Sequence, residues 1–468
     1  MKKINIDVLN LPFPAKAEPL VEAFSEMPYS CVLRSTLLTK RFSRYSFFCC
    51  QPFLILQSRG RNIRTLSIDK AGAGFNESKK KGNPFEALRN VLEYYSIRKP
   101  APAPPVPFYA GGAGYFSYDL CRFIEKLPSS TPGDIKLPDM HFAFYKFIAA
   151  IDSECEKAFL FSVNATKKEI FLFSEFYKNA LSRKITAAQC PDMPAPKSNF
   201  RKNDYLKAVK KAIQYINAGD IYQVNLSQRF HTALSCRPAE LYRRVSLINP
   251  APFSAFCNVN PGQFVISSSP ERFLKVAEGH VETRPIKGTR RRSADPEEDS
   301  ALKNELLDSV KDNAELAMIV DLERNDLGKV CVYDSVKVTE KKVLETYPTV
   351  HHLAATIEGS LHPRYDLIDL IKATFPGGSI TGAPKIRAME IIDELEPVKR
   401  SVYTGAIGYI GFDGDTDLSI AIRIMLADGN NVYYQAGGGI VADSVPEHEY
   451  EETLVKGLAL KNALARNA

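Results

Sequence analysis

No Cys-x-x-Cys pair occurs in this 468-residue sequence, and its nine cysteines include only one adjacent pair, Cys49-Cys50. A zinc ribbon or a dithiol redox site is therefore a poor reading, and so is a disulfide framework, which a chain of this length does not need. Reduced thiols in a cytosol are expected. Long apolar runs are also missing: the best local candidate, Phe142 to Ile151, is split by Lys146 and falls far short of the ~18 residues that cross a bilayer. The N-terminus opens Met1-Lys2-Lys3, but Asp7, Asn10, Pro12 and Pro14 interrupt any signal-peptide core. The expectation is a soluble, cytoplasmic protein with no membrane association. No nucleophile elbow surrounds any cysteine, so a built-in glutaminase is excluded and any ammonia must come from another chain.

The net charge of +7 is unevenly placed. Residues 1–200 carry 28 Lys+Arg against 18 Asp+Glu, and the remainder 33 against 36. The basic excess is scattered, with Lys79-Lys80-Lys81 the only lysine triplet, read as a solvated loop. Without a clustered stripe, nucleic-acid binding is not expected.

Two proline-rich stretches, 99–107 and 185–197, cannot form interior strands or helices. The first reads as a surface loop, and the second as a junction between regions 1–184 and 198–468. Beyond it, Asn203 or Asp204 is placed to cap a helix carrying Leu206, Val209, Ile213 and Ile216 on one face and ending at Gly219. Strands are expected from Tyr222 to Gln228, Phe264 to Leu274 and Val330 to Val338. Helices are expected over 299–319, 366–374, 383–395 and 446–465. Ser444 and Glu447 are spaced as a capping box for the last of these. Elements mix without a strict βαβ beat, which supports an α+β or mixed α/β enzyme.

Chemistry concentrates in a few segments. On helix 446–465, Glu449, Glu452 and Lys456 project from one face, and on helix 299–319 Asp312 and Glu315 do the same. Facing carboxylate pairs would make an all-oxygen site suited to Mg²⁺; solvated helix faces are the plainer alternative. In Glu282 to Thr289, Pro285 ends a strand and Gly288 turns the chain beside Lys287, which would be a nucleophile, an anion ligand or an exposed turn lysine. Pro376 to Lys385 has P-loop-like glycines, but Ala383-Pro384 stand where Lys-Ser/Thr should follow. Gly437-Gly438-Gly439 would let backbone N–H groups approach an anion, or mark a bulge. His351-His352 has no third ligand at metal spacing.

Together these segments resemble the chorismate-utilising enzymes, and within them the branch of the aminodeoxychorismate synthase large components. The likeness is carried by Ala251–Phe256 (APFSAF), Ser269–Phe273 (SPERF), Arg284–Thr289 (RPIKGT) and Asp312–Asp326 (DNAELAMIVDLERND). It continues through Val350–Leu353 (VHHL), Phe375–Pro397, Ala436–Asp443 (AGGGIVAD) and Glu449–Thr453 (EYEET), with a weaker match at Phe108–Asp119.

The resemblance implies an α+β fold of layered antiparallel sheets flanked by helices, in which the two regions are intertwined. It implies that Glu315 and Glu452, supported by Asp312 and Glu449, hold Mg²⁺ against the ring carboxylate of chorismate. Arg423 is implied to take the enolpyruvyl carboxylate, with Lys456, the backbone at Gly437 and Gly439, and Ser379 completing the anion cradle and Tyr403 as a substrate-side aromatic. The residue at 287 separates branches, since anthranilate synthases typically carry Ala where this sequence has Lys287. The implied reaction is addition of the Lys287 amine to chorismate, displacement by ammonia, and retention of the amine at C4. Glu271 is implied as general acid/base and His352 as an orienting or proton-transferring group. The implied partner is a separate glutaminase subunit (component II), and the implied pathway that of 4-aminobenzoate and folate. Anthranilate synthase component I and a non-catalytic tryptophan- or chorismate-binding regulatory subunit are the alternatives. The family also implies a tryptophan pocket at Ser35, Phe42-Ser43-Arg44-Tyr45 and Pro252-Phe253-Ser254, although Val32 to Thr36 departs from the L-L-E-S pattern of feedback-inhibited relatives.

Overall fold

The computed structural model describes residues 4–37, 41–68, 74–183, 185, 193–347 and 350–465. Met1 to Lys3, Pro348, Lys184 and the 186–192 part of the proline-rich junction lie outside the described residues.

Two paths of antiparallel strands diverge from one long pair, Tyr45–Arg59 with Met140–Asp152. The first runs from Met140–Asp152 through Gly111–Phe116, Ala406–Gly411, Thr416–Ile420, Arg272–Ala277 and His280–Arg284 to Val350–Ser360. The second runs from Tyr45–Arg59 through Cys31–Arg34, Phe253–Asn260, Gln263–Ser269, Ile424–Asp428 and Asn431–Ile440 to Gln223–Ala233. Both paths thus pass from strands before the junction to strands after it, so the two regions share one set of pairings.

Side-chain alternation sorts the core. Ala255, Cys257 and Val265 join Ala113, Phe273 and Ile407 in one buried cluster shared by the two paths. Their neighbours Phe256 and Ile266 point the other way, into a cluster with Phe24, Phe173, Leu241 and Leu460 from the helices Glu18–Ser25, Lys167–Leu181, Pro238–Ile248 and Pro446–Ala463. Each central strand is covered on both faces, which is why Met140–Asp152 reads as a nearly unbroken apolar run, with Lys146 its one half-buried residue. The fold is α+β, with layered antiparallel sheets flanked by helices.

Several local expectations needed correction. The 299–319 helix is two helices, Pro296–Asp308 and Val310–Gly328, because the Ser309 side chain accepts from Asp312 N at 3.2 Å and caps the second. The Phe264–Leu274 strand is broken, as Pro270 lacks a ladder donor, and Glu271 sits in the break between Gln263–Ser269 and Arg272–Ala277. No strand covers Val330–Val338: Asp334 is left-handed (φ 61°) and Cys331 makes only an isolated bridge, so the strand is Lys337–Thr346. The first helix after the junction begins at Lys202 with Arg201 at its N-cap, leaving Asn203 and Asp204 inside the first turn. Ser444 donates to Glu449 Oε1 at 2.6 Å instead of forming a capping box with Glu447.

Candidate active site

Lys287 lies on the strand Ile286–Arg291, not on a turn. The pairing of this strand with Val350–Ser360 slips between Lys287 and Thr289, and Gly288 (φ +71°) forms the bulge. A Cβ at Gly288 would lie 2.8 Å from Leu306 Cδ1 and 3.0 Å from Asp312 Cβ, so glycine permits the helix Val310–Gly328 to close on this strand. The bulge aims Lys287 at the segment after the helix Leu367–Thr374, where its Nζ donates to the Ser379 carbonyl at 3.0 Å. Burial pulls the ammonium's pKa down; Glu315 opposes this and Lys456 reinforces it.

Glu271 is 4% exposed, and Ile286 N donates to its Oε1 at 3.4 Å. Burial lifts its pKa to about 7 against the opposing influence of the Ser379 side chain and of Lys287. A lysine biased towards the free amine thus faces a carboxyl poised to exchange a proton near neutrality, a pairing suited to nucleophilic and acid/base chemistry.

His352 pairs in register with Thr289, and Thr289 Oγ1 and His352 Nδ1 are 2.8 Å apart. Burial, then the positive charge of Arg423, push His352 down to about 3, so the ring is neutral. Its Nε2 is buried without a partner among the described residues, open to a ligand. Arg423 adopts φ +51°, an uncommon conformation for a side-chain-bearing residue, and donates to Asn249 Oδ1 at 2.7 Å. Burial draws its pKa below the usual guanidinium value, and it makes no ion pair with a carboxylate of the described residues. A desolvated cation without an anion is a ready carboxylate site.

The helix Pro446–Ala463 packs on the glycine strand Asn431–Ile440. A Cβ at Gly438 would lie 3.2 Å from Glu449 Oε2 and 3.3 Å from Glu452 Oε1, so the bare backbone lets both carboxylates approach. Glu449 Oε2 is buried without a partner, and burial with the Glu452 charge raises that carboxyl's pKa. Lys456 donates to the Gly437 carbonyl at 3.2 Å and pairs with Glu452. Glu315 accepts from Gln223 Nε2 at 3.3 Å and lies 4.0 Å from Lys311. Asp312 is engaged by Arg290 at 3.0 Å, an interaction that spacing alone could not reveal. No three His, Cys, Asp or Glu side chains of the described residues are grouped closely enough, as they stand, to enclose a metal ion. The donor chemistry nevertheless suits a hard cation, because Glu449 offers an orphaned oxygen beside Glu452.

Tyr403 is buried under the Arg400 guanidinium, 5.9 Å from its ring, and Arg400 is in turn held by Glu396 at 2.7 Å and donates to the Ile380 carbonyl at 3.0 Å. It therefore stands behind the Ser379 turn. Sequence reasoning missed Gln223, Asn249 and Glu323. The first two follow ordinary strand and helix patterns; only the register that sets Gln223 beside Gly439 places it here.

Two cavities of several hundred Å³ are lined by described residues away from this centre. One, of about 570 Å³, is lined by Ser35, Phe42, Arg44, Tyr45, Pro252, Phe253 and Ser254; Ser43 shares the segment but does not line it. The Arg272 guanidinium lies 5.1 Å from the Phe42 ring and 5.2 Å from the Phe253 ring. The other, of about 420 Å³, gathers Arg59, Arg64, Lys79, Lys80, Lys81 and Lys136. The lysine triplet is thus part of an exposed strand, Phe75–Lys81, and not a loop.

Residues 51–462 match the family of chorismate binding enzymes. The chain is 39% identical to aminodeoxychorismate synthase component 1 of Salmonella typhimurium, over 97% of this chain and 98% of that protein. It is 38% identical to anthranilate synthase component 1 of Acetivibrio thermocellus, over 95% and 92% of the two chains. The crystal structure of anthranilate synthase component I from Streptococcus pneumoniae superposes with a TM-score of 0.78 at 30% identity, covering 91% of this chain and 94% of that one.

Proposed function

The chain belongs to the chorismate binding enzymes, and we propose that within them it is the aminating component of an aminodeoxychorismate synthase, converting chorismate and ammonia to 4-amino-4-deoxychorismate. The observation that carries this reading is Lys287, held at the Ser379 carbonyl and set against the buried Glu271. An amine is required here to form a covalent adduct, and burial shifts Lys287 towards its free-base form.

In this reading the Lys287 amine adds to ring C2 as the C4 hydroxyl leaves as water, taking the Glu271 proton. Ammonia then adds at C4 and gives a proton back to Glu271, while the Lys287 nitrogen is expelled as the ring double bonds return. Arg423 binds the enolpyruvyl carboxylate, and neutral His352 orients the substrate through Nε2. Glu315, Glu452 and Glu449 would hold Mg²⁺, which when bound would offset the charge of the ring carboxylate; Asp312, tied to Arg290, supports the helix. A separate glutaminase subunit supplies ammonia, and the product feeds 4-aminobenzoate and folate formation in the cytoplasm. The cavity at Phe42 and Phe253 takes tryptophan.

The test is incubation with chorismate, Mg²⁺ and ammonium, with products resolved by mass and absorbance. Aminodeoxychorismate is expected, and a lysine-linked adduct should be absent from Lys287→Ala. Anthranilate and pyruvate in place of it would make the chain an anthranilate synthase; no turnover would leave a regulatory subunit.

A further inference from the structure

Glu271 has a second buried carboxyl for a neighbour. Glu323, on the helix Val310–Gly328, is 8% exposed, and it forms no ion pair with a described residue. Its Oε2 lies 2.9 Å from Thr283 Oγ1, and that same hydroxyl lies 2.8 Å from the carbonyl oxygen of Phe273.

The proton count decides what these contacts are. A threonine hydroxyl has one proton, a carbonyl oxygen has none, and an ionised carboxylate can only accept. With Glu323 ionised, Thr283 could satisfy one of its two neighbours, and the other contact would set two oxygen lone pairs against each other in a buried site. With Glu323 protonated, a continuous chain forms: Glu323 donates to Thr283, and Thr283 donates to Phe273.

The charged groups around Glu323 agree. Glu271 faces it from the Pro270 break, Asp326 from its own helix and Lys385 from the helix Lys385–Leu395. Lys385 is already committed to Asp326 and to the Thr374 carbonyl at 2.9 Å, and Asp326 also takes Lys329 at 2.8 Å. Burial, with the Glu271 charge adding to it, lifts the Glu323 carboxyl to about 8.

We propose that Glu323 is a positioning residue, a neutral carboxylic acid locked through Thr283 that limits the Glu271–Glu323 pair to one negative charge and so sets the protonation range of Glu271. While Glu323 keeps its proton, Glu271 is free to ionise as it gives its proton to the departing hydroxyl. Once Glu323 ionises, the second charge opposes that release. The inference rests on the amination reading only through the role of Glu271.

Infrared difference titration of the full chain reads both carboxyls directly and needs no turnover. The wild-type protein should lose carboxylic C=O absorbance in two steps, and Glu323→Gln and Glu271→Gln in one each. Glu271→Gln should lower the Glu323 midpoint by about one pH unit, because the neighbouring charge is gone. Thr283→Val should move the Glu323 band to higher frequency, as the acid loses its acceptor. In ammonia-dependent turnover, Glu323→Gln should move the limb of the pH profile that reports Glu271 to lower pH, because the neighbouring charge no longer holds its proton. A neutral-pH carboxylic band that survives Glu323→Gln, or a Glu323 midpoint indifferent to Glu271→Gln, would overturn the inference. Two coupled bands in a protein that does not aminate chorismate would overturn the proposed function and leave Glu323 as the buried acid.

Discussion

Lys456 Nζ sits 2.5 Å from Glu452 Oε1, one turn away on the same helix, so an internal cation already occupies a carboxylate proposed for Mg²⁺. Both side chains are 45% exposed, and such a pair contributes ~0–1 kcal/mol. Lys456→Met should therefore tighten Mg²⁺ binding to the substrate-free protein by up to about fivefold. It should also raise KM for chorismate, because the cation is lost from the anion cradle. Calorimetric Mg²⁺ titration beside steady-state kinetics separates the two effects; weaker Mg²⁺ binding in the variant would show that Lys456 does not compete with the metal.

Gly288 links backbone conformation to the two acidic helices. Gly288→Ala meets both a left-handed φ and a Cβ position 2.8 Å from Leu306. The cost should be about 1–3 kcal/mol in unfolding free energy, with a larger proportional loss of kcat than of chorismate affinity, since Lys287 is displaced along with the bulge. Urea unfolding and kinetics test it. A variant with unchanged stability would mean that the strand relaxes freely.

Much of this centre could be read from the sequence, for a physical reason. Lys287 and the helix carboxylates stand out by residue type and spacing, with the breakers Pro285 and Gly288 announcing irregular backbone at Lys287, whereas Glu271 and Arg423 were legible only through the resemblance to chorismate-utilising enzymes. The alternating Val, Ile and Phe runs likewise announced buried strands. What could not be read depends on register. Arg290 captures Asp312 from 22 residues away, and Thr283 meets Glu323 across 40. The same holds for the basic cavity: Arg59, Arg64, Lys79 and Lys136 look scattered along the chain and gather only when Asn62–Ile68 pairs with Phe75–Lys81 and Tyr45–Arg59.

The cavity at Phe42 offers a direct binding prediction. Tryptophan should titrate one to one, and Phe253→Ala should lose the heat of binding while keeping chorismate turnover. Absence of heat in the wild-type chain at millimolar tryptophan would mean that Arg272, already lying beside both rings, fills the indole's place.

Acid stability follows from a group remote from catalysis. His141 is 1% exposed, its Nδ1 lies 3.0 Å from Gln57 Nε2, and burial lowers its pKa to about 3. The folded state therefore binds fewer protons than the unfolded chain between about pH 6.5 and 3, so this contribution is present above 6.5 and lost as pH falls through that window. Replacing His141 with Gln should make acid unfolding shallower by about one proton. Denaturant midpoints measured from pH 7 to 4 give the slope, and an unchanged slope would place the acid sensitivity elsewhere.

Arg423 should separate stability from function. Its charge is partly desolvated and, among the described residues, is hydrogen-bonded to the neutral Asn249 Oδ1, so the folded protein bears a cost that no described carboxylate offsets. Arg423→Met removes the charge and keeps the aliphatic stem, and should raise stability by about 1 kcal/mol. The same change should raise KM for chorismate at least tenfold, because the enolpyruvyl carboxylate loses its two-pronged donor. Arg423→Lys should keep the cost of burial without restoring two-pronged binding, and so should rescue neither property. Thermal unfolding with and without chorismate tests both halves: wild type should gain more from the substrate than Arg423→Met, while starting lower. A destabilised Arg423→Met would show that Asn249 and the strained backbone at 423 depend on the guanidinium, and that Arg423 is there to hold the fold.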